Sequence, residues 1–162
     1  MNSSQIHLGL THVPVILSIV GLIVLIVAMV RKNDTITKTA FYLLLFAGAS
    51  AIPVFFTGEG AEEIVEHLPG VSEKVIERHE NVAKLAFGVV STVALVSLTG
   101  LVFYNKKKTL MSIRLLVLLL SLATAVIMAA TAHLGGQVRH TEIRSGSTHE
   151  TENAATDRLQ NK

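Results

Sequence analysis

The chain has 162 residues, half of them hydrophobic and only 16% charged, with a formal net charge of +2. Soluble proteins carry roughly 25% charged residues, so this composition argues against a soluble domain. The absence of Cys removes disulfides, thiolate metal sites, iron–sulfur clusters and haem attached through Cys, and no basic stripe interleaved with aromatics points to nucleic acid.

Four apolar stretches follow one another. Val13–Val30 is ended by Arg31 and Lys32, and Ala40–Phe56 carries Pro53 near its end. Leu85–Tyr104 is followed by Lys106, Lys107 and Lys108, and Leu115–Leu134 is ended by Gly135 and Gly136. About 20 apolar residues are needed to cross a hydrocarbon core about 30 Å thick. Helices alone satisfy every backbone group within such a segment, and the short alternating strands of a barrel are missing. We therefore expect an all-α fold, a four-helix transmembrane bundle with spans near 12–31, 39–57, 82–104 and 113–134. The first stretch lacks a basic leader and a small-residue cleavage site, so it reads as retained. The expected partner of the whole domain, residues 1–145, is the lipid bilayer.

Charge assigns the sides. Arg31, Lys32 and Lys38 lie between the first two spans, and Lys106, Lys107, Lys108 and Arg114 lie between the last two. The connection between spans two and three carries Glu59, Glu62, Glu63, Glu66, Glu73, Glu77 and Glu80 against Lys74 and Arg78. Basic loops stay in the cytoplasm. The acidic connection and both termini are then on the outer side. Within that connection Ala61, Ile64, Val65 and Leu68 recur at helical spacing, which predicts a short amphipathic acidic helix stopped by Pro69-Gly70. Ser72 is a candidate N-cap for a third helix running from Glu73 through the membrane, and Glu80 and Lys84 can pair on it at i,i+4. From residue 146 to 162 the chain is polar and lacks an apolar period, the pattern of a disordered tail.

The histidines fall on one side. His7 and His12 precede or open the first span, His67 closes the acidic helix, His79 opens the third span, His133 closes the fourth and His140 follows it. Neither basic loop contains one. Glu59, Glu62, Glu63, Glu66 and Glu80 share their level. Imidazole and carboxylate are ligands for Zn, Fe, Cu and Mn, and a pair of imidazoles suits haem iron. His12, His79 and His133, at the ends of spans, are the candidates for a haem. His7, Glu59, Glu63, His67, Glu80 and His140 are the candidates for a non-haem metal. Imidazole also sits comfortably among headgroups, so any one of these residues can be structural. No ionisable residue lies in the middle of a span, which argues against a proton relay.

His7-Leu8-Gly9-Leu10-Thr11-His12-Val13-Pro14 resembles the H-P-L-L-V-H-F-P-type opening of a bacterial family of four-helix membrane proteins catalogued as a domain of unknown function. Leu8 stands where that opening has its first Pro. Thr57-Gly58 resembles the family's turn after helix 2, His79 its single His at the start of helix 3, and Gly135-Gly136-Gln137-Val138 with His140 its closing signature. The resemblance spans about residues 7–140, and the acidic segment with Glu62, Glu63 and His67 departs from it. It implies the bacterial inner membrane. Fusion of some members to cytochrome-like modules implies haem or redox work.

Three readings stay open. The first is a small b-type cytochrome-like electron carrier, with haem b on two of His12, His79 and His133, and Arg139 or Lys84 beside its propionates. The second is a protein that binds or senses a divalent transition metal. The third is a cofactor-free structural or assembly subunit whose acidic outer segment docks a redox or membrane-complex partner. The orientation is directly testable because the chain has no Cys. In intact cells with a permeabilised outer membrane, a Glu63→Cys variant should react with an impermeant maleimide and a Lys107→Cys variant should not. The reverse pattern would invert the assignment of sides.

Overall fold

The computed structural model describes residues 3–66 and 71–139. Four helices fill them: α1 Ser3–Arg31, α2 Asp34–Val65, α3 Glu73–Val102 and α4 Lys107–Arg139. Each is long and apolar enough to cross a membrane. In sequence order α1 packs on α2, α2 on α3, and α3 on α4, and α4 closes back on α1. The result is an up-and-down bundle in which α1 and α3 are diagonal neighbours. All six described residues of the α1–α2 and α3–α4 turns, 32–33 and 103–106, lie at one end, here termed the lysine end. The starts of α1 and α3 lie at the other, the histidine end.

Interior positions recur every seven residues. On α1 Pro14, Gly21 and Ala28 are buried, and on α2 Thr37, Leu44 and Ala51. On α3 the series is Ala86, Val93 and Gly100, and on α4 it is Ser121 and Met128. A seven-residue recurrence keeps one seam of each helix facing the bundle axis. The opposite faces are apolar and exposed, with Ile16, Phe46, Leu95 and Val126 among them, which is the surface lipid requires. Small residues set the tightest crossings. Gly48 lies against Ala94 and the Val90 carbonyl, and Gly100 lies against Phe41 and Ile113.

The lysine end is held by polar contacts. Arg114 Nη2 donates to Asp34 Oδ1 at 2.7 Å, and the Tyr104 hydroxyl donates to the Asp34 carbonyl at 2.6 Å. Lys38 Nζ sits 4.1 Å above the Tyr104 ring. These contacts join α2 to the α3–α4 turn and to α4. The α1–α2 turn is closed by Asn33 N–H to Ala28 O and Lys32 N–H to Met29 O, with Lys32 in the left-handed conformation at φ 49°. That pair of bonds is the Schellman helix stop, in which glycine is the usual left-handed residue. Asn33 then caps α2 by accepting from Ile36 N–H at 3.0 Å.

Three expectations change in detail. The acidic segment is helical, but it is not a separate helix: α2 continues without interruption to Val65, and Glu66 N–H bonds to Glu62 O. Gly58 and Gly60 do not break the helix, because the segment buries Ala61 against the bundle. The expected stop at Pro69-Gly70 lies outside the described residues, as do His67, His140 and the 146–162 tail. His7 and His12 are both inside α1, which starts at Ser3. The third helix does begin at Glu73, and Glu80 pairs with Lys84 at 2.8 Å. Ser72 occupies the cap position, but its side chain makes no cap hydrogen bond.

A Cβ at Gly48 would be forced into Ala94, whereas at Gly88 it would meet nothing within 4 Å. Gly48→Ala should therefore cost about 1–3 kcal/mol, the usual range for overpacking. Gly88→Ala should be neutral or slightly stabilising. Unfolding in mixed detergent micelles measures both.

Candidate functional site

The same seven-residue register extends to the histidine end. His7 lies one heptad before Pro14, and His79 one heptad before Ala86. Both imidazoles are half-buried. Each reaches across to the helix that follows it in the chain. His7 Nδ1 lies 3.1 Å from the Val54 carbonyl and 3.3 Å from Thr57 Oγ1, on α2. His79 Nδ1 lies 3.1 Å from the Thr131 carbonyl, on α4. A carbonyl can only accept, so each Nδ1 carries the proton and donates. Each Nε2 is then left with its lone pair. The two rings lie within electrostatic reach of each other.

Glycines flank both rings. A Cβ on Gly58 would stand 3.5 Å from His7 Cε1, and one on Gly135 would stand 3.1 Å from His79 Cε1. In each hairpin the imidazole bonds a carbonyl and rests on the glycine four residues further along: Val54 and Gly58 in the first, Thr131 and Gly135 in the second. The arrangement is one clamp made twice. No repeat is evident in the sequence, because the two copies share spacing and hardly any residue identities. Above His7, Ser4 Oγ donates to the Ala61 carbonyl at 3.4 Å, further tying α1 to α2.

The other expected site residues are placed differently. His12 is exposed and its Nδ1 bonds Leu8 O, within its own helix, at 3.0 Å. His133 is exposed, and its Nε2 is 3.0 Å from the Gln137 side-chain nitrogen, which donates to it. Both fall outside the heptad register, so of the three expected haem ligands only His79 faces the interior, and its companion there is His7. Glu59 and Glu63 are exposed on α2, and Glu80 is engaged with Lys84. Glu62 lies within electrostatic reach of Glu59, Glu66 and Glu80. With Glu73, Lys74, Glu77 and Glu80 it lines an open crevice between α2 and α3. Among the described residues, no three His, Asp or Glu side chains converge as a metal-ligand group. The signal that would have selected His7 over His12 and His133 was present in the sequence, as distance in sevens from the small residues of each interior seam.

The helices and their apolar exterior define a four-helix membrane protein. Over residues 3–142 the chain matches the model of a family described as predicted membrane protein (DUF2231), and it belongs to that family. The resemblance read from the sequence is borne out at that level. No curated protein and no solved structure matches the chain.

Proposed function

We propose that the protein is a membrane electron carrier of the b-type cytochrome kind, in which His7 and His79 would hold a haem through Nε2. One observation carries this reading. Two imidazoles on diagonal helices, at the same end of the bundle, lie within electrostatic reach of each other, and a carbonyl of the neighbouring helix fixes the tautomer of each. Histidine ligands to metals are oriented in this way, with the second ring nitrogen donating to a carbonyl or carboxylate. The donor set suits haem, which supplies four nitrogen ligands of its own and asks the protein for two. When bound, haem would supply a one-electron couple. The chain would supply orientation, through Val54, Thr57 and Thr131, and a low-polarity surround, through Ala61 and Ala86, that shields the iron from water.

A second reading keeps the same two imidazoles but places a bare transition-metal ion on them. The carboxylates of Glu59, Glu62 and Glu80 near the histidine end favour it, since they attract a cation and repel haem propionates.

Protein purified in detergent from haem-replete cells should show a Soret band and a pyridine haemochrome corresponding to one haem b per chain. His7→Ala and His79→Ala should each abolish it, and His12→Ala and His133→Ala should leave it in place. A colourless preparation would sink the haem reading. Stoichiometric Cu, Fe or Zn without a Soret band, lost in the same two variants, would establish the second reading instead.

A further inference from the structure

The two clamps are equivalent in design but not in tightness. At Gly58 an added Cβ would make ordinary contact with His7, at 3.5 Å from Cε1 and 3.9 Å from Nδ1. At Gly135 it would crowd Cε1 of the His79 ring at 3.1 Å, with Nδ1 and Nε2 in contact at 3.4 Å and 3.8 Å. The ring cannot swing aside without breaking the bond from Nδ1 to the Thr131 carbonyl, one turn away on the same helix face. It is also the interior position of the α3 seam, where packing leaves few alternative rotamers.

We infer that Gly135 is a positioning residue for His79. Its bare backbone lets the imidazole lie against α4 with Nδ1–H on the Thr131 carbonyl, which leaves the Nε2 lone pair unprotonated. Gly58 serves His7 in the same manner but with slack. The consequence for a bound iron or ion rests on the function proposed above, but the positioning of the ring does not.

The test therefore has two arms. In protein labelled with ¹⁵N-histidine, the His79 Nδ1–H resonance should be observable and slow to exchange, and it is assigned by its loss in His79→Ala. Gly135→Ala should restore rapid exchange at that proton, whereas Gly88→Ala, remote from both rings, should not. This arm needs no cofactor. In the loaded protein, Gly135→Ala should weaken retention of haem or metal about 10–100-fold, the usual effect of disturbing a residue that orients a ligand. Gly58→Ala should weaken it less.

Loss of thermal stability alone would not separate positioning from packing, so a double-mutant cycle is included. If Gly135 acts through the His79 ring, the destabilisation caused by Gly135→Ala should largely vanish in a His79→Ala background. The double variant should also fold even where the single one does not. Unchanged exchange at His79 in Gly135→Ala, or full additivity in the cycle, would overturn the inference. Slow exchange at His79 in a protein that binds neither haem nor metal would leave the positioning intact and sink only the functional reading.

Discussion

Lipid offers no hydrogen-bond partners, and the histidine end of this bundle is arranged around that constraint. A polar side chain facing the interior is stabilised by a partner on another helix or on its own backbone, and none comes from lipid. Of the five buried hydroxyls among the described residues, Thr37 and Thr124 bond carbonyls four residues earlier in their own helices, while Ser18, Ser97 and Ser121 have no partner. His7 and His79 reach to a neighbouring helix instead. Those two bonds tie α1 to α2 and α3 to α4 at this end and hold each ring to one partner. At the opposite end, Asp34, Tyr104 and Arg114 provide the corresponding ties.

Much of the architecture was legible in the amino-acid sequence, because the bilayer imposes a length and a polarity that composition reveals directly. The four spans, the start of α3 at Glu73 and the Glu80–Lys84 pair follow from local rules. The continuity of α2 through Gly58 and Gly60 does not. Glycine weakens a helix in isolation, and only the burial of Ala61 against the bundle shows why this one persists. The site was partly legible. His79 was recognisable as an imidazole at the start of an apolar span, but its companion was not. His7 and His12 are equally polar interruptions of one segment, and only rotation about the helix axis separates them. That rotation is marked by the buried series Pro14, Gly21 and Ala28, of which Gly21 packs directly against Leu44 of α2.

Protonation at Nδ1 has a chemical meaning beyond geometry. A neutral imidazole tied to a carbonyl becomes more electron-rich at Nε2 and keeps a single orientation, so little reorganisation accompanies a change at that atom. Under the proposed function, that would let a centre held by the pair change charge while its surroundings stay still. The carboxylates nearby, on α2 and α3, bias the same region toward positive species.

The twofold use of a His, carbonyl and glycine set also bears on descent. Both hairpins enter from the same end and return to it, so they are related by rotation about the bundle axis and not by inversion. A gene for one hairpin, whose product paired with an identical copy, would already contain every part of such a clamp twice. Fusion of two such genes would let the copies drift apart. On such a history, the different fit of Gly58 and Gly135, and Arg114 standing three heptads before Gly135 where Thr37 stands three heptads before Gly58, would have arisen after the fusion.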